Sequence, residues 1–137
     1  MSGELSDVNV LAVLASTLGA FVLGAVYYGA FGDRLLALRG TGGPDAGATP
    51  PPWKLGVELA RCAVVAAVVA GLAAVGGIGS IGAGALLGLA LWAAFPVVLL
   101  AGSVIWEDVN PGLAALHAGD WLAKLMLVAV VVSVWQG

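Results

Sequence analysis

Four apolar stretches, each about 20 residues or longer and nearly free of charge, divide the chain at about residues 8–31, 55–77, 81–106 and 111–136. A helix rises about 1.5 Å per residue, so each stretch matches a hydrocarbon core of roughly 30 Å. No alternating strand pattern competes, and a helix satisfies its backbone polar groups internally, as lipid demands. The expected fold is therefore all-α: a single-domain integral membrane four-helix bundle, up-down-up-down.

Composition agrees. Of 137 residues, 61% are hydrophobic and only 9% charged, and mean hydropathy is +1.08, against about 25% charged residues in an ordinary soluble domain. The formal charge of -3 and the scatter of the five basic residues leave no basic patch, so nucleic acid is not an expected partner. The bilayer is one. The N-terminal tail is acidic and its apolar run is long, so the first stretch is expected to be retained rather than cleaved as a signal peptide. The single Cys62 allows no intrachain disulfide, and without metal-ligand spacing neither a metal nor a cofactor is expected.

The connections differ in kind. GGIGSIGAG is short and uncharged, which predicts a tight antiparallel hairpin between the second and third spans. GTGGPDAGATPPP, in the segment of about residues 40–53, is too poor in apolar residues to fold and is expected to be a flexible loop. Its approach, DRLLALR, suits one or two helical turns lying on the membrane with Leu35, Leu36 and Leu38 inward. Arg34, Arg39, Lys54 and Arg61 flank this loop, so the positive-inside rule makes it cytoplasmic and places both termini on the outer side. Tyr27, Tyr28, Trp53, Trp106 and Trp121 then fall near the cytoplasmic interface, and Trp135 near the outer one.

Small residues recur every four positions: Ser16, Ala20 and Gly24; Ala63, Ala67 and Gly71; Gly84 and Gly88. Such stripes let helix backbones approach, within the bundle or against another copy. Pro96 is expected to kink the third span, and Asn110-Pro111 to start the fourth with an N-cap and a proline at the first helical position.

The fourth span carries the most informative charges. Beyond Lys124 only about eleven residues remain to Trp135, about 16 Å of helix, too few to cross alone. Asp120 and Lys124 must therefore enter the membrane. His117, Asp120 and Lys124 share one helix face by their spacing of three and four. Glu58 and Arg61 repeat the device on the second span, and Glu107 and Asp108 close the third, giving a candidate polar cluster of seven ionisable groups on the cytoplasmic side. It is read in two ways. Each cation snorkels beside an acid and the cluster staples helices, or the charges line a path for protons or a small solute, with His117 the group that ordinarily titrates near neutral pH.

No HExxH, GxSxG or phosphate-cradling GxxxxGK[ST] occurs, and the glycine-rich hairpin lies on the wrong side for a nucleotide, so catalysis is not expected.

The segments GAVYYGAFGDRLLAL, LWAAFPVVLLAGSVIWE and above all NPGLAALHAGDWLAKLMLVAVVVSVW resemble the bacterial membrane proteins grouped as domain of unknown function 1761. In the first segment Tyr27-Tyr28 stands where the family usually has Trp-Tyr. The resemblance implies four spans, a location in a bacterial inner membrane, and a recurring pattern at His117, Gly119, Asp120, Trp121 and Lys124. It implies no substrate, cofactor or reaction. A role through assembly, with itself or another membrane protein, is the first functional expectation; a small transporter or channel is the alternative. A reporter fused at Gly137 should read as external, and a cytoplasmic readout would refute the orientation.

Overall fold

A computed structural model of the chain describes residues 8–39 and 51–136, with the side chains of Leu35, Leu36, Leu38, Arg39 and Gln136 left aside. The expected flexible loop lies mostly outside the described residues, as does the inward placing of Leu35, Leu36 and Leu38. Among the described residues the fold is all-helical, with no strand. The elements are α1 (Val10–Ala30), α2 (Gly32–Arg39), α3 (Pro52–Gly76), α4 (Ile81–Ala94), α5 (Pro96–Glu107) and α6 (Pro111–Gln136). Four helices are long and apolar enough to cross a membrane: Val10–Ala30, Pro52–Gly76, Ile81–Glu107 and Pro111–Trp135.

Local chemistry sets the ends. Asn9 caps α1 by accepting from the N–H groups of Leu11 and Ala12, and Ser80 caps α4 by accepting from Ala83. These side chains satisfy donors that a helix start would otherwise leave unpaired. The carboxamide oxygen of Asn110 accepts from Gly112 N–H at 2.8 Å, so α6 begins at Pro111 as its sequence predicts. Pro52 opens α3 three residues before the expected span, bringing Trp53 and Lys54 into the helix. Gly77 ends α3 in the left-handed region at φ 66°, where a side chain would be strained. Pro96 has no N–H to give Trp92, and the third span breaks at Phe95 into α4 and α5.

The packing centres on α6. It contacts α1, α3, α4 and α5; α1 and α3 also pack on each other, whereas α4 and α5 reach the rest of the molecule almost entirely through α6. The expected close hairpin of the second and third spans is thus corrected. The connection is short, but α3 and α4 share almost no contact. Their small faces are committed elsewhere. A Cβ on Gly88 would lie 2.9 Å from the Leu125 carbonyl oxygen, and one on Gly84 2.9 Å from that of Ala129, so α4 rests directly on the α6 backbone.

The main core joins Ala12 and Ala20 of α1, Cys62, Ala66, Val69, Ala70 and Ala73 of α3, and Leu125, Val128, Ala129 and Val132 of α6. Ser16 is buried and donates to the Ala12 carbonyl, and Thr17 to that of Val13, so neither hydroxyl needs a partner on another helix. Ser16, Ala20 and Gly24 form the buried face of α1. On α3 the expected stripe is displaced. Ala67 is exposed and Ala63 only half-buried, and of the three expected residues Gly71 alone is buried. The buried row runs instead through Cys62, Ala66, Val69 and Ala73, one helical face with Glu58, whose partner on α6 fixes the rotation of the helix.

The α4–α6 seat is testable with glycine substitutions. Gly88→Val should lower the stability of the purified protein by about 1–3 kcal/mol, the usual cost of overpacking, whereas Gly102→Ala, which meets nothing within 4 Å, should leave it unchanged. Thermal unfolding in detergent separates the two.

Candidate functional site: a charge quartet between three helices

Nearly two turns before the end of α1, Gly24 leaves a recess. A Cβ on Gly24 would lie 2.8 Å from Lys124 Cε, so the lysine stem crosses beneath α1 where the glycine leaves room, and a side chain there would push it aside. The Lys124 side chain is 3% exposed and its ammonium lies 2.9 Å from Asp120 Oδ2, one turn earlier on the same helix. It also donates to Glu58 Oε1 of α3 at 3.0 Å. The second oxygen of Glu58 is 2.7 Å from an Arg61 guanidinium nitrogen. Two acids and two bases thus form one chain, Asp120–Lys124–Glu58–Arg61, whose formal charge is zero.

Burial falls along that chain. The side chains of Asp120 and Lys124 are each 3% exposed, Glu58 is 29% and Arg61 54% exposed, so the series leads from the core to the surface. Trp121 lies beside both cations, its ring 5.1 Å from the Lys124 ammonium and 5.5 Å from the Arg61 guanidinium, within the range of cation–π attraction. The Cys62 thiol is 4.0 Å from Glu58 Oε1, a long contact. Asp120 Oδ1 is buried and has no hydrogen-bond partner among the described residues.

The end of α1 is tied to the start of α6 by two phenols. Tyr27 donates to the Leu116 carbonyl oxygen at 2.7 Å, and the Tyr28 hydroxyl meets His117 Nδ1 at 2.6 Å. Gly119 accommodates the first of these, since a Cβ there would collide with the Tyr27 hydroxyl. On the opposite side of α6, Trp92 of α4 donates its indole N–H to the Ala118 carbonyl oxygen at 2.8 Å. Residues 116–118 therefore accept or exchange hydrogen bonds with both flanking spans.

Of the seven expected ionisable residues, the structure brings Glu58, Arg61, Asp120 and Lys124 into contact. His117 meets the Tyr28 hydroxyl through Nδ1. Glu107 and Asp108 do not join: both are exposed, and Asp108 adopts φ 56°, closing α5 with its N–H on the Ser103 carbonyl oxygen. Tyr27 and Tyr28, expected near the cytoplasmic interface, bind α6. Their spacing from Gly24 on the same helix face is the signal that points to this role. The link from Glu58 to Lys124 has no signal in spacing along the chain.

The chemistry of the arrangement is that of a closed electrostatic set. Each cation has a carboxylate within 3.0 Å, and among the described residues no three His, Cys, Asp or Glu side chains converge as a metal site requires.

The HAGDWLAK stretch that carries the family resemblance is thus the stretch that supplies Asp120, Trp121 and Lys124. A family model described as a protein of unknown function, DUF1761, matches residues 11–133. The chain belongs to this family. The match takes in all four long helices and every residue of the quartet. Comparison with curated proteins and with solved structures gives no match.

Breaking the quartet at one point should cost more than removing a buried pair from it. Lys124→Met leaves Glu58 and Asp120 facing each other without their shared cation and should lose about 3–5 kcal/mol, whereas adding Asp120→Asn should recover much of that loss. Equal unfolding midpoints for the single and double variants would show that the ion pair does not hold α6 in place.

Proposed function

We propose that the chain is a non-enzymatic integral membrane protein that acts through assembly, with a second copy or another membrane protein, and that its charge quartet serves to lock three helices together. The observation that carries this reading is the saturation of Lys124 by two carboxylates. With Arg61 on the other oxygen of Glu58, the four charges sum to zero and the buried pair of Asp120 and Lys124 is neutral by itself. The surface left for partners is apolar. It is broadest on the third span, where α5 contributes no buried residue and Val98, Leu99 and Ile105 are all exposed.

The proposed topology is up-down-up-down in a bacterial cell membrane, with the segment between α2 and α3 cytoplasmic and both termini outside. Two lines support it. Arg34, Arg39 and Lys54 cluster around that segment. The order of contacts also supports reversal between spans: Gly24 and Gly19 of α1 meet Lys124 and Leu127 of α6, while Gly88 and Gly84 of α4 meet Leu125 and Ser133, the numbers falling on one helix as they rise on the other.

A transporter or channel for protons or a small solute is the second reading, favoured by Asp120 Oδ1, a buried acceptor with no partner among the described residues. In that reading Asp120 is the group that takes up the cargo, so Asp120→Asn should abolish proton flux into liposomes while Arg61→Gln leaves a measurable rate.

Assembly is tested by cross-linking on a Cys62→Ala background in native membranes. Leu99→Cys on α5 should give a covalent dimer or an adduct with a second protein, and Val22→Cys on the exposed face of α1 should not. No adduct at Val98, Leu99 or Ile105 would defeat the assembly reading.

A further inference from the structure

On the outer side of the quartet, α3 and α6 enclose a shallow groove of about 390 Å³, lined by Val57, Ala60, Arg61, Val64, Val65 and Trp121. Its walls are almost wholly apolar except for the guanidinium of Arg61. That side chain is 54% exposed although it belongs to a membrane-spanning helix, and the structure gives it one carboxylate oxygen, from Glu58, on one of its nitrogens. A guanidinium carries five N–H donors. In a lipid environment the remaining donors require an acceptor, and hydrocarbon supplies none.

Seven residues earlier, Lys54 lies on the same helix face, about 10 Å nearer the start of α3. Lys54 is exposed and its ammonium stands 5.6 Å from the ring of Trp53, itself exposed. Two tryptophans therefore accompany two cations along one stripe, Trp53 with Lys54 and Trp121 with Arg61. Indole rings and basic side chains are the groups that settle at the headgroup level of a bilayer. Since Glu58 is occupied by Lys124 and Arg61, the stripe formed by the quartet and Lys54 carries one net positive charge.

We propose that this stripe is a binding site for an anionic phospholipid, its phosphate held between Lys54 and Arg61 and one acyl chain lying in the groove over Trp121. Charge complementarity selects the headgroup, and the apolar groove running on from Arg61 selects a lipid rather than a free anion. The site rests on α3 and α6 lying in a bilayer and is independent of assembly through α5, so failure of either proposal leaves the other standing.

The test is native mass spectrometry of the purified full chain in nonionic detergent, offered equal amounts of phosphatidylglycerol and phosphatidylcholine with identical acyl chains. The wild-type chain should retain the anionic lipid preferentially, each basic residue contributing roughly fivefold to the preference. Lys54→Gln, which touches no member of the quartet, should reduce the preference by about that factor without changing the unfolding temperature, and Lys54→Gln with Arg61→Gln should abolish it. Equal retention of the two lipids by the wild-type chain would overturn the proposal. So would an unchanged preference in Lys54→Gln, or displacement of the lipid by millimolar inorganic phosphate, which would mark a simple anion site.

Discussion

A lysine ammonium held inside a membrane protein by two carboxylates from different helices is the contact on which the arrangement of this molecule turns. Lys124 satisfies Asp120 within α6 and Glu58 on α3, and it reaches them because Gly24 lets its stem pass under α1. Helices α3 and α6 are thereby tied to each other by one side chain, which α1 covers at Gly24. Apolar packing between helices in lipid has little directional preference, because lipid tails compete for the same surfaces. A charge that must be matched does have one. The quartet defines which face of α3 turns inward, and the row of Cys62, Ala66, Val69 and Ala73 follows from it.

Two modes of contact divide the rest of the structure. On the α1–α3 side, small residues and self-satisfied hydroxyls such as Ser16 and Thr17 allow close approach. On the α4 side, glycines seat one backbone directly on another, and Trp92 adds a hydrogen bond to the Ala118 carbonyl oxygen. Helix α6 supports both, which explains why α3 and α4 can be joined by a few residues and still not pack together.

What was legible in the chain was whatever local chemistry decides. The four long helices follow from hydropathy, the break at Phe95 from the missing N–H of Pro96, and the start of α6 from Asn110-Pro111. The pairs Glu58/Arg61 and Asp120/Lys124 follow from helical spacing. What escaped the sequence depends on rotation and on neighbours. Helix α3 is so rich in alanine that several small-residue stripes are equally good by composition, and only the pairing of Glu58 chooses between the row containing Ala66 and the expected one containing Ala67. Glu107 and Asp108 share with the cluster only their place at the end of a span, and both side chains are exposed. That Tyr27 and Tyr28 bind the Leu116 carbonyl oxygen and the His117 ring is set by the neighbouring helix.

The buried ion pair also bears on how the molecule is made. A lysine or aspartate near the middle of a span opposes entry into the bilayer by about 2.5 to 3.5 kcal/mol each, so α6 is the helix least able to insert alone. Asp120 on α6 itself supplies one of the two carboxylates that relieve Lys124, and the other, Glu58, belongs to α3, which the ribosome delivers earlier. An α3 already in the bilayer therefore lowers the cost of bringing Lys124 in with α6, because it adds a second carboxylate to the one that α6 carries.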